Sequence, residues 1–91
     1  MTYAVTVSTG EGPSKPGRLD LEPECFSFSD GTRVRYRDLL DMYLERRSSG
    51  PPVLILQPRT GERLRLASLE GTGALHELAE DLFEARSRIA A

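Results

Sequence analysis

The chain has little of what most catalytic and metal centres are built from. Its 91 residues include one cysteine, Cys25, and one histidine, His76. A single cysteine excludes an intrachain disulfide framework. One cysteine and one histidine together supply too few ligands for the usual zinc sites. The sequence also contains no G-x-S-x-G elbow and no glycine-rich phosphate loop. We therefore predict no catalytic, cofactor-binding or metal-binding residues, and expect that the chain is not an enzyme.

Long apolar segments and a strong net charge are also missing. The longest apolar run, Val53–Leu56, is far shorter than the ~20 residues of a membrane-spanning helix. The N-terminus lacks the basic and then apolar regions of a signal peptide, so we expect a cytoplasmic location. A formal net charge of −2 gives no global attraction for nucleic acid or anionic membranes. We do not expect nucleic acid, membrane lipid or a small-molecule substrate as the partner.

Alternating apolar and polar residues dominate what is present, and they predict a mainly β domain. Asp30-Gly31 predicts a hairpin with a type I′ turn, in which both residues have positive φ, and Gly61 marks a second hairpin. Residues 8–17 hold three glycines and two prolines and predict a mobile loop. The clear strands are 3–8, 17–22, 25–29, 32–37, 53–57 and 62–67.

The window 38–47 fits two structures. As a helix it would place Leu39, Leu40, Tyr43 and Leu44 on one face, whereas as a strand it would run over 42–46. The residues of this window favour the strand only slightly.

After residue 72 the apolar period changes from two to that of a helix. Thr72 is a suitable N-cap, and the predicted helix covers 72–89. An open sheet of short strands exposes two edges and an apolar face, so we expect it to curl and pack against this helix. The apolar stripe consists of Leu75, Leu78, Ala79, Leu82, Phe83 and Ile89.

Three segments together resemble small bacterial pleckstrin-homology-like and GRAM-like domains. They are Gly17–Leu21, Cys25–Phe28 and Val34–Met42, followed by a last hairpin from Val53 to Leu66. The resemblance implies a mainly β (α+β) fold, with seven strands forming a barrel or sandwich capped by one C-terminal helix. It implies one domain over 1–91 and a strand at 42–46. It also implies binding at a surface, although a fold by itself does not specify the ligand.

Two surfaces are candidates for that binding. In peptide-binding members of the superfold an extended peptide adds to the fifth strand beside the helix, which here implies a groove of Met42, Tyr43, Leu44, Leu75 and Leu78. We therefore predict a non-catalytic protein-interaction or self-association module, in which the same edge can pair in a homodimer. The alternative is a phosphate-recognising module for a lipid headgroup or nucleic acid. It would use two arginine-rich strand faces, Arg33, Arg35 and Arg37 on one and Arg63 and Arg65 on the other.

Overall fold

The computed structural model describes residues 2–90 and confirms the mainly β architecture. Seven antiparallel strands form a curled half-barrel, and one helix follows them. A single 3₁₀ turn, Tyr36–Asp38, separates the fourth and fifth strands. The elements are β1 Thr2–Thr9, β2 Lys15–Leu21, β3 Cys25–Phe28, β4 Arg33–Arg35, β5 Leu39–Glu45, β6 Val53–Pro58, β7 Leu64–Ser68 and α1 Thr72–Ala90.

The strands are ordered β4-β3-β2-β1-β7-β6-β5 across one sheet. β1 lies at its centre, where Val5 pairs with Gly17 of β2 on one side and Ser68 of β7 on the other. Each of the remaining neighbours in the order is joined to the next by antiparallel pairing. β4 and β5 are therefore the two edge strands of the half-barrel.

The helix packs on the concave face of this sheet. α1 contacts the 3₁₀ turn, β6 and β7, and its buried side chains are Leu75, Leu78, Ala79, Leu82 and Ala85. The predicted stripe was too wide, because Phe83 is 45% exposed and Ile89 is 38% exposed. Phe83 follows Leu82 by one residue, a rotation of about 100° that carries it off the buried face. Ile89 lies in the last turn, beyond the last buried position at Ala85.

Two tyrosine hydroxyl groups form hydrogen bonds that connect parts of this core. Tyr36 is fully buried and donates a hydrogen bond of 2.7 Å to the Glu22 carbonyl. Its ring lies 6.1 Å from that of Phe26. Tyr3 of β1 donates a hydrogen bond to the Asp81 carboxylate of α1, which ties the central strand to the helix. Burial is the main reason that the pKa values of both hydroxyls are raised.

The window 38–47 is resolved in favour of a strand, which begins earlier than predicted, at Leu39. The turn at Asp30-Gly31 differs from the prediction, because only Gly31 has a positive φ, of 98°. The Gly31 N–H donates to the Phe28 carbonyl at 2.9 Å, and the Phe28 N–H donates to the Thr32 carbonyl at 2.8 Å. These bonds close a three-residue loop with glycine in the left-handed position, so a type I′ turn is not needed.

Candidate functional site

The five residues of the predicted groove do not line one open surface. Met42, Leu75 and Leu78 are 4%, 1% and 0% exposed, and all three belong to the main hydrophobic core. Tyr43 is 37% exposed, and Leu44 is partly buried. Because the helix packs directly on the sheet, a partner at β5 would meet the strand's edge and its outward side chains.

Two side chains cap backbone groups along the edge of β5. The Arg86 guanidinium donates a hydrogen bond of 2.9 Å to the Leu40 carbonyl, and the Met42 N–H donates one of 2.8 Å to Asp41 Oδ1. In antiparallel pairing, every second residue turns both its N–H and its C=O away from the neighbouring strand. Met42 and Leu44 therefore present their backbone groups to the open edge. Leu40 lies at a register shift, and its carbonyl faces the same edge because Arg86 donates to it there. Among residues 2–90, no side chain caps Leu44.

Leu40 of β5 and Phe83 of α1 are two large apolar side chains that remain exposed. The register with β6 shifts between Leu39 and Asp41, and this irregularity leaves Leu40 56% exposed while Leu39 is 2% exposed. Phe83 lies three residues before Arg86 on the helix, whose guanidinium reaches Leu40. Sequence reasoning missed both side chains. The signal for Leu40 was present, since two adjacent leucines in a strand cannot both face the interior.

The arginines predicted to share one strand face are divided between two elements. Arg33 and Arg35 are exposed on β4, whereas Arg37 lies in the 3₁₀ turn, so the prediction of a three-arginine strand face was wrong. The strand is only three residues long because the chain turns at Tyr36, whose ring enters the core. The Arg37 carbonyl accepts a hydrogen bond of 3.2 Å from Arg59 Nε.

On β4, Arg33 interacts with a carboxylate. Arg33 Nη2 lies 3.0 and 3.1 Å from the two oxygens of Glu22, and the Cys25 thiol donates to the same carboxylate at 3.1 Å. The bonds from Cys25 and Arg33 lower the pKa of Glu22, and the bond to Glu22 raises the pKa of the Cys25 thiol. The hydrogen bond to Glu22 thus favours the protonated form of the thiol.

A depression of about 780 Å³ lies between β4 and the β6–β7 hairpin. Arg33 and Arg35 line it together with Glu24, Asp38 and Glu62. An incoming anion would meet three carboxylates as well as two guanidinium groups, which weakens this surface as a phosphate site.

The second arginine pair lies at the start of β7. Arg65 lies on β7, where it pairs with Ser8 and Ile55. Arg63 precedes the strand, and its carbonyl accepts a hydrogen bond of 2.8 Å from the Gly10 N–H. β7 begins at Leu64, one residue after Arg63, and the shared face of Arg63 and Arg65 stays a prediction.

Within 2–90, no group of three histidine, cysteine, aspartate or glutamate side chains is placed to hold a metal ion. In the same range, no helix combines the length and apolar character needed to cross a membrane.

Comparison with known proteins adds no family assignment. The chain matches no protein-family model, and a search of curated proteins finds no match either.

Proposed function

We propose that this chain is a non-catalytic, pleckstrin-homology-like interaction module that binds an extended protein segment along the edge of β5. The order of seven strands and a terminal helix supports the resemblance, because it leaves β5 at an edge beside the helix. The observation that carries the proposal is the row of outward backbone groups at Leu40, Met42 and Leu44. A strand added at this edge would form its main-chain hydrogen bonds with these groups.

The partner segment would need apolar side chains. The Leu40 carbonyl accepts the hydrogen bond from Arg86, and Phe83 lies three residues before Arg86 on α1. The side chains of Leu40 and Phe83 are 56% and 45% exposed. Apolar contacts beside an edge strand provide the specificity that main-chain hydrogen bonds lack. Binding of this kind depends little on ionic strength.

The partner must also displace the two caps. Arg86 leaves the Leu40 carbonyl and Asp41 releases the Met42 N–H when a strand pairs there. Each cap makes a hydrogen bond that the incoming backbone would otherwise make. In the free protein the caps therefore protect the edge of β5 from nonspecific pairing.

A selection from a random peptide display library tests the proposal. Peptides that bind the wild-type chain should lose at least about tenfold in affinity on Leu40→Asp or Phe83→Asp, since losing one central apolar contact costs more than about 1 kcal/mol. Leu44→Pro, which removes an outward N–H, should weaken the same peptides.

Leu69 supplies the matched control. It is 56% exposed, as Leu40 is, but it lies between β7 and α1. Leu69→Asp should leave peptide affinity unchanged. Peptides that tolerate the Leu40 and Phe83 changes but fail in moderate salt would contradict the proposal and favour the phosphate-recognising alternative. A wild-type dimer that Leu44→Pro dissociates would identify a second copy of the chain as the occupant.

A further inference from the structure

A third basic surface lies where the β5–β6 loop meets the start of α1. Arg46, Arg47 and His76 line one depression of about 470 Å³ there. Arg46 and Arg47 follow the end of β5, and His76 lies in the second turn of the helix. The topology thus gathers three cationic or protonatable side chains from two separate segments.

No carboxylate lines this depression, which distinguishes it from the surface beside β4. Within 2–90, Arg46 and Arg47 form no ion pair, whereas Arg33 is paired with Glu22 at 3.0 Å. Guanidinium groups without a protein partner keep their donors for an oxyanion, and their planar fork matches phosphate oxygens. Within the depression itself, no carboxylate faces these guanidinium groups.

The rest of the lining favours an anion that carries an organic group. Leu44 and Pro52 supply apolar walls beside the three polar side chains. Thr72, the first residue of α1, also contributes, and the first turn of that helix holds no acidic residue. The positive end of the helix dipole therefore adds to the attraction of the three side chains.

We propose that this depression binds a small, soluble phosphate monoester. Arg46 and Arg47 hold the phosphate oxygens, His76 donates a further hydrogen bond, and the organic part lies against Leu44 and Pro52. The site is separate from the arginines of β4. It shares Leu44 with the β5 edge, but it needs no peptide bound there.

Titration with phenyl phosphate, followed by amide resonances of ¹⁵N-labelled protein at constant ionic strength, tests the site. The shifts should concentrate at Gly50 and at the first residues of α1. The double variant Arg46→Gln, Arg47→Gln should weaken binding by roughly tenfold or more, because each charge-assisted hydrogen bond is worth about a factor of ten. Inorganic phosphate should bind more weakly, since it leaves Leu44 and Pro52 uncovered.

The double variant Arg33→Gln, Arg35→Gln removes the same charge elsewhere and is the matched control. It should change the affinity by less than about twofold, the scale of an exposed and distant charge. Chemical-shift changes centred on β4, or an affinity for phenyl phosphate that is unchanged in the Arg46→Gln, Arg47→Gln variant, would overturn the proposal. Binding to vesicles with and without a phosphoinositide distinguishes a lipid headgroup from a soluble phosphate monoester as the ligand. Binding to phosphoinositide vesicles through Arg46 and Arg47 without binding of phenyl phosphate would also overturn it.

Discussion

Leu82 and Phe83 are neighbours on α1, and truncating each to alanine should have very different consequences. Leu82 is fully buried in the core, whereas Phe83 is 45% exposed. Both changes introduce the same residue into one helix, so backbone propensity differs little between the variants. The comparison therefore measures what the docking of the helix against the sheet contributes.

The expected magnitudes follow from burial. Leu82→Ala should cost about 2–5 kcal/mol, because removing buried methyl groups from a packed core loses transfer free energy and leaves a cavity. Phe83→Ala should cost less than about 1 kcal/mol, since the ring is only partly buried and alanine has the better helix propensity. A domain of this length has a total stability of roughly 5–14 kcal/mol, so the Leu82 change removes a large part of it.

Urea unfolding followed by circular dichroism measures both values, and thermal unfolding provides a second reading. A loss of 3 kcal/mol corresponds to a fall in Tm of roughly 12–24 °C for a domain of this size. Equal losses in the two variants, or a larger loss for Phe83, would refute the docking of α1 through the face that carries Leu82.

Three further predictions, which use four substitutions, test other features of the fold. Tyr36→Phe leaves the Glu22 carbonyl without its partner and should cost about 1–2 kcal/mol in urea unfolding, and an unchanged midpoint would contradict that bond. Gly31→Ala, at a φ of 98°, should destabilise by about 1–2 kcal/mol. Gly73→Ala, in the helix, should instead raise the free energy of unfolding. If both glycine substitutions changed the stability in the same direction, the positive φ of Gly31 in the turn would be contradicted. Burial raises the pKa of Tyr3, so the unfolded chain ionises first. Stability should therefore fall as pH rises above about 10, and fall less in Tyr3→Phe.

Local sequence patterns predicted most of the strands because each needs only alternation along the chain. Leu19, for example, lies between Arg18 and Asp20 in the sequence and is fully buried. The 38–47 window was ambiguous for a physical reason, since adjacent leucines at 39 and 40 fit a helical face as well as an irregular strand. Pairing with β6 and the register shift near Leu40 decided it, and neither is local.

The candidate surfaces depended still more on tertiary structure. Arg33, Arg35 and Arg37 alternate in the sequence, but Tyr36 turns into the core and places Arg37 in a 3₁₀ turn. Arg46 and His76 are thirty residues apart, and no spacing rule connects a loop arginine with a helix start. Their proximity arises because the loop after β5 and the first turns of α1 meet at one depression.

The amino-acid sequence by itself determined the mainly β class, the position of the terminal helix and the residues that face inward on most strands. These properties follow from periodic burial, which neighbouring residues encode. Only the tertiary structure decided which strands became edges, which side of α1 was covered and which arginines kept carboxylate partners. Those outcomes depend on contacts between distant segments, where the curvature of the sheet and the volume of buried side chains choose among locally equivalent arrangements.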